Sequence, residues 1–461
     1  MPIGMTDSLI YGPAWSTAEL RAVFDDVPRT QAWLDILAAL ALAQAELGII
    51  PTEAANEIAA KADVNLLDLD AIRRGYQQTS HSTLGLIREW QRVLSPAAGE
   101  WVYFGATVQD LTDTWTSLAL KRVAAAVYRD LRRIEELLLD LAARHRETLM
   151  PGRTHGQIGL PITFGFKCAV WASEVRRHVR RLKDMAPRIA TGQLAGGVGS
   201  VSSYGGQGLE LLARFCARLQ LNVPDISWDT ARDNLADFVN LAAMIAASLA
   251  KIGNEVYSLQ RPEVAEVAEP FEPGRVGSIT MPHKRNPEYS EQIVTLARVI
   301  RYNAALITEG MLQEHERDAR AWKAEWLIIP QACVSLGKAL ELCSAMLDGL
   351  VVNAAAMCRN LDLTQGYVLS EAVMLALAQS AGKQSAHTII YEASMRGVEA
   401  GWTFREALLR EPRVSAHLSA AQIDALLDYR THIGEIPQMV ERVLQRARAE
   451  RNSETRSLYE L

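Results

Sequence analysis

The densest run of chemically capable residues is Gly274-Arg-Val-Gly-Ser-Ile-Thr-Met-Pro-His-Lys-Arg-Asn-Pro287. It carries Ser278, Thr280, His283, Lys284, Arg285 and Asn286 on a glycine-rich loop that runs into a helix. Asn286 followed by Pro287 reads as an N-cap and a first-turn residue. That pair places the loop at the positive end of a helix dipole, where an anion or a developing alkoxide is stabilised. A hydroxyl held there can be acidified. The same residues also fit a plain helix cap followed by a solvated basic turn.

Three further segments offer polar groups. In Gly152-Arg-Thr-His-Gly-Gln157, Thr154 brings a hydroxyl and His155 a group that exchanges protons near neutral pH, although a lone histidine is often structural. In Phe104-Gly-Ala-Thr-Val-Gln-Asp110, Thr107 and Gln109 could grip a substrate, while Thr107 and Asp110 at i and i+3 also fit a capping pair. In Thr79-Ser-His-Ser-Thr83, His81 is either a second acid or substrate ligand or part of a polar turn. Arg232, before Asp233, fits a structural ion pair and a carboxylate clamp equally. The stretch 192–208 is rich in Gly and Ser but lacks the GxxxxGK[ST] spacing and a preceding strand, so it reads as a turn or close-packing segment and not a phosphate cradle.

The elements that must position these groups are helical. Apolar residues recur at spacings of three and four over 28–47, 113–150, 233–259, 287–312 and 322–350, and alternating runs of strand length are almost absent. In 233–259 only a thin polar strip survives, which predicts a helix buried nearly all round at the centre of a bundle. The expected class is all-α. Soft boundaries near 112 and 350 divide the chain into an N-terminal helical domain 1–112, a central long-helix domain 113–350 and a small C-terminal helical domain 351–461. Glycine and proline gather between the rods at 151–161, 192–208 and 270–287, where loops on a rigid scaffold can carry chemistry.

The 461 residues are 49% hydrophobic and 22% charged, which excludes a disordered or collagenous chain. A formal charge of −6 gives no overall reason to bind nucleic acid or an anionic membrane. No run reaches a membrane-spanning length of about 18 apolar residues, and no secretory signal is visible. Cys168, Cys216, Cys333, Cys343 and Cys358 are odd in number, widely spaced and set in apolar sequence, as reduced core residues of a cytoplasmic protein would be.

Gly277, Ser278, Met281, Pro282, Lys284 and Asn286 match the Gly-Ser-x-x-Met-Pro-x-Lys-x-Asn signature of the fumarase/aspartase superfamily, which this sequence resembles. Ile279 departs from it where a second serine is common. The Gly152–Gln157 segment resembles adenylosuccinate lyases and 3-carboxy-cis,cis-muconate cycloisomerases. The 104–114 segment resembles the superfamily's carboxylate-gripping region, with Val108 in place of a common serine. His81 falls near a His-Asp pair of adenylosuccinate lyases, with Ser82 replacing the aspartate, and Arg232-Asp233 resembles a superfamily Arg-Asp pair. The likeness runs from 38–51 to 382–387.

The branch is read from Gln313-Glu-His-Glu-Arg-Asp318 and its continuation. In adenylosuccinate lyases a Ser-His-Ser-Ser run and an arginine follow and help to bind the nucleotide phosphate. Here Arg320, Ala321, Trp322 and Lys323 fill the run and Trp326 takes the arginine's place, so charge-assisted phosphate contacts are lost.

The resemblance implies a three-domain subunit of a homotetramer, with active sites assembled from loops of three subunits, so that the 107, 155 and 278 regions need not meet within one chain. It implies an anti 1,2-elimination, or its reverse, on a succinate-like di- or tricarboxylic acid, with no metal or organic cofactor and no nucleic-acid or membrane partner. Ser278 would be the base and Lys284, Asn286 and loop amides would stabilise the doubly charged aci-carboxylate. His155 would bind the other carboxylate or protonate the leaving group. Thr107, Gln109, Thr154, His81, Met281 and Arg232 would contact substrate. The favoured reaction is that of a non-nucleotide C–N lyase acting on a substituted aspartate, or of a nitrosuccinate lyase. A carboxymuconate cycloisomerase, an adenylosuccinate lyase and a non-catalytic structural relative are the alternatives.

Overall fold

A computed structural model describes residues 4–271, 274 and 276–459. Its scaffold is a bundle of five helices: α2 (Val108–Arg144), α3 (Phe164–Ile189), α4 (Asp233–Gln260), α5 (Glu288–Glu309) and α6 (Ala319–Asp348), preceded by α1 (Asp26–Glu46). Helices α2 and α3 pack together, as do α4 and α5, α5 and α6, α6 and α2, and α3 and α4. Each sends a 3,4-spaced apolar stripe inward, and Leu131, Ile134, Val179, Ile245, Leu249, Ile293, Ile300, Cys333 and Leu340 meet in one core. By length and hydropathy α4 and α6 could cross a bilayer, but most of each apolar window lies inside the bundle.

The all-α expectation holds, with two local departures. The pattern over 113–150 predicts one helix, whereas α2 stops at Arg144 and the chain enters a two-stranded hairpin, β1 (Leu149–Thr154) and β2 (Gln157–Thr163). Met150 pairs with Ile162, and the register slips between Pro151 and Arg153. The prolines and glycines of this segment hide its alternation, and a two-stranded ribbon tolerates Pro because both strands are edges. Helix α3 is absent from the periodicity reading. Its buried stripe of Cys168, Trp171, Ala172, Val175, Val179 and Leu182 faces the core, while arginines dominate the rest.

Two smaller cores flank the bundle. One gathers Leu34, Leu37, Leu40, Trp90 and Leu111 with Leu211 and Phe215, so the stretch around 190–221 packs with the N-terminal helices. The other includes Val373 and Leu377 on α7 (Ser370–Ala381), Ile390 on α8 (Lys383–Glu399), and Phe404, Leu408 and Ile423. The last helix, α9 (Ile436–Ser453), returns to the bundle through Ile436, Val440 and Leu444, which divides the expected 351–461 segment between two cores. Arg176, buried between Glu135 and Glu454, ties the chain beyond α9 to α2 and α3. Four cysteines are buried. Cys358 is exposed, contrary to the reading of all five as core residues.

Candidate active site

The rods sort the sequence-selected residues into two groups. With 37 residues, α2 is about 55 Å long. Thr107 and Gln109 lie at its start, and the hairpin carrying Thr154 and His155 follows its end. Helix α4 runs the opposite way. Arg232 at its start meets Asp113 near the start of α2, and Glu266 beyond its end bonds Arg153 on the hairpin. The Ser278 loop joins the end of α4 to the start of α5, which places it at the hairpin end.

At the Thr107 end the polar groups are engaged. The side chain of Arg317, in the loop before α6, donates from Nε to Gln109 Oε1 (2.8 Å), from Nη1 to Thr107 Oγ1 (3.1 Å) and from Nη2 to the Gly196 carbonyl (3.3 Å). Its side chain stays 28% exposed. Gln109 also donates to the Asp229 carbonyl (2.7 Å). Asp110 caps α2 by accepting the Thr107 N–H (2.9 Å), so capping and cradle-building coexist in one turn. Sequence reasoning passed over Arg317 as part of a branch-defining string. The signal that could have found it is a cation on the loop that closes this end of the bundle.

Arg232 takes the structural side of its two readings and is corrected as a substrate contact. It is 2% exposed, and its guanidinium is shared between Asp113 (2.8 and 3.0 Å) and Glu325 (2.8 Å to Nε), leaving no open face for a substrate carboxylate. His81 is exposed, and its Nδ1 accepts the Leu84 N–H (3.2 Å) at the start of the next helix. Tyr103, bonded to the buried Thr83, has its phenol pushed up by burial and by Asp110.

The opposite end is open. Thr154 and His155 are exposed at the hairpin tip, and His155 (φ 51°) with Gly156 (φ 76°) forms the two-residue turn. Positive φ at both positions matches the twist of the strands, and glycine takes the second at no steric cost. Ser278 Oγ accepts the Met281 N–H (3.0 Å). Met281 and Lys284 are exposed, and neither His155 nor Lys284 has a side-chain hydrogen bond among the described residues.

Two expectations about this loop change. Asn286 does not cap α5. The N-cap is Pro287, and Asn286 Nδ2 donates to the Gly277 carbonyl (2.8 Å), cinching the loop. Nor is the positive end of the α5 dipole free for an alkoxide. The buried Glu269 carboxylate occupies it, accepting from Tyr289 N (3.1 Å), Ser290 N (2.8 Å) and Ser290 Oγ (2.5 Å), with its pKa raised by burial. The donor to Ser278 is therefore the Met281 amide.

The sequence profile described as "Lyase" matches residues 14–301, and that of "Adenylosuccinate lyase C-terminus" matches 366–443. The chain belongs to the fumarase/aspartase superfamily of lyases. It is an enzyme of the branch that contains carboxymuconate cycloisomerases and adenylosuccinate lyases. It is 41% identical to an N-acetyl-S-(2-succino)cysteine lyase of Dickeya dadantii (strain 3937), over 96% of this chain and 97% of that protein. It is 38% identical to an adenylosuccinate lyase of Methanocaldococcus jannaschii, over 94% of each. The crystal structure of 3-carboxy-cis,cis-muconate lactonizing enzyme from Pseudomonas putida superposes with a TM-score of 0.91 at 33% identity, covering 96% of this chain and 99% of that one.

Proposed function

We propose that this lyase performs a cofactor-independent anti 1,2-elimination on a 2-substituted succinate, releasing fumarate or a related unsaturated acid, with a thiol as the leaving group. The elimination rests on Ser278, whose Oγ accepts the Met281 amide in a part-exposed loop, since an N–H donor stabilises the alkoxide over the alcohol. The alkoxide takes the proton next to a carboxylate, and the electron pair moves onto that carboxylate as an aci-carboxylate. Its collapse forms the C=C bond as the C–S bond breaks, and the thiolate takes a proton from His155. Lys284 and the loop amides hold the aci-carboxylate charge, with Met281, Asn286 and Thr154 around them.

Arg317, framed by Thr107 and Gln109, suits a substrate carboxylate, and His81 is kept as a substrate ligand in the same reading. Because the two groups of residues lie at opposite ends of the bundle, a complete site joins loops of different subunits in a homotetramer, as the resemblance implies. The division at 112 and 350 and a cytoplasmic setting belong to the same reading.

The leaving group is argued from the 41% likeness to a succinocysteine lyase, which displaces the amine or nitrite expected from sequence alone. The residues after Arg317 also disfavour a nucleotide. Trp322 and Trp326 pack edge to face (5.2 Å) and Arg320 is paired with Asp318 and Glu314, so no hydroxyl run awaits a phosphate. The likeness to the lactonizing enzyme keeps cycloisomerisation as the second reading.

The test offers purified protein N-acetyl-S-(2-succino)cysteine, N-substituted aspartates, nitrosuccinate and adenylosuccinate, and follows fumarate by absorbance. Thiol release from the first substrate is expected to exceed turnover of the others. Lactonisation of 3-carboxy-cis,cis-muconate with no fumarate from any succinate would replace this proposal with the cycloisomerase.

A further inference from the structure

The contacts of Asp110 carry an inference that rests on the proposed carboxylate cradle and deepens it. Asp110 is 2% exposed, in the first turn of α2. Its carboxylate accepts three backbone N–H groups: Thr107 (2.9 Å), Ala195 (2.7 Å) and Gly196 (3.2 and 3.3 Å). Two of those residues turn their other polar group to Arg317, Thr107 through its hydroxyl and Gly196 through its carbonyl. Asp110 therefore sits one residue behind Arg317 along two separate paths. Gly196 has φ 75°, the left-handed region that favours glycine, and this conformation lets it present its N–H to Asp110 and its C=O to Arg317.

No salt bridge reaches Asp110 among the described residues, so its carboxyl group is met by backbone amides. The groups acting on it or through it are Asp229 from the segment before α4, Tyr103 from the segment before α2, Tyr204 from the glycine-rich stretch, and Arg317, which lies 4.0 Å from Asp229. Burying a carboxyl group with no cation is costly unless it is hydrogen-bonded, and here its bonds go to the backbone that frames Arg317. What it holds is the spacing between Thr107 Oγ1 and the Gly196 carbonyl, which sets where Arg317 points.

We propose that Asp110 is a positioning residue for substrate recognition: it aims Arg317 at a substrate carboxylate through Thr107 and Gly196, without itself touching the substrate. Asp110→Asn keeps the shape but turns an N–H₂ toward one of the amides. The ligand is fumarate, titrated at equilibrium and as a product inhibitor, alongside kcat and KM for the best succinyl substrate. Asp110→Asn is expected to weaken fumarate binding and raise KM about tenfold with kcat within about threefold, a split that general loosening of the fold would not give. On an Arg317→Ala background the same change is expected to add little, because coupled residues are not additive.

If Asp110→Asn does not fold, Gly196→Ala serves as the second variant. Its added Cβ meets nothing closer than 3.8 Å, so it disturbs the backbone conformation and not the packing, and the same split is expected. Unchanged fumarate binding in the folded variant, or an equal loss with and without Arg317, would overturn the inference. Wild type that binds fumarate yet eliminates from no succinate breaks the proposed reaction and leaves this inference standing. Wild type that binds no dicarboxylate removes both.

Discussion

At the end of the bundle where α2 begins, Arg317 donates to both Thr107 and Gln109 before any substrate arrives. At the other end His155 and Lys284 have no hydrogen-bonded side-chain partner among the described residues, and Ser278 accepts only an amide. One end is preorganised around buried carboxylates, and the other presents reactive groups on a hairpin tip and a loop. A site that recognises a carboxylate gains from rigid donors fixed in advance. In the proposed reading, the end that moves protons must admit substrate, and loops of other subunits would complete it.

The comparison breaks first, and by the largest effect, at Ser278. Ser278→Ala is expected to lower kcat by about 10³-fold while fumarate still binds, because a lost proton-transfer group costs about 10²–10⁴-fold in rate and leaves the distant cradle intact. Single-turnover kinetics beside a binding titration measures both, and parallel loss of binding would show that the two ends are not separate in function.

Arg232→Met tests the buried side. It leaves Asp113 and Glu325 unpaired in the core, so a loss of about 3–5 kcal/mol in unfolding free energy is expected. A stable variant with impaired fumarate binding would return Arg232 to the substrate contacts. Arg317→Ala sharpens the contrast, since the residue is part-exposed and nearby. It should weaken fumarate about 10- to 100-fold, the scale of charge-assisted hydrogen bonds, with little change in the urea midpoint.

The smallest step, read per pH unit, is a pH dependence. Burial pushes the Asp110 carboxyl up to about 7, so between about pH 4 and pH 7 the folded chain keeps a proton that the unfolded chain has released. This group therefore makes stability fall as pH rises through that window, by at most about 1.4 kcal/mol per unit, and the fall levels off above about pH 7. Subtracting the urea midpoints of Asp110→Asn from those of wild type at each pH isolates the term, and a difference that stays flat from pH 5 to pH 7 would refute it.

The helical class was legible because 3,4-spaced apolar stripes survive in α2, α4, α5 and α6 whatever they pack against. Helix α3 escaped notice because five arginines interleave with its apolar stripe, and the hairpin because Pro151, Gly152, Gly159 and Pro161 interrupt alternation. Within the proposed site, Ser278 and Lys284 stood out through one contiguous motif and His155 through another. Arg317 did not, because its partners Thr107, Gln109 and Gly196 lie more than a hundred residues earlier in the chain.

Sequence alone determined the rods, the glycine-rich loops between them and the residues able to exchange protons, all properties of local spacing and side-chain chemistry. Tertiary structure alone decided which charges are buried and which stay accessible. Arg232 and Arg317 are the same residue type in polar stretches, and nothing in their neighbours separates them. The fold buries the first between two carboxylates and leaves the second part-exposed. It likewise gave the α5 dipole to Glu269 and not to Ser278, because the Glu269 carboxylate, nine residues before the serine, already accepts the first amides of that helix.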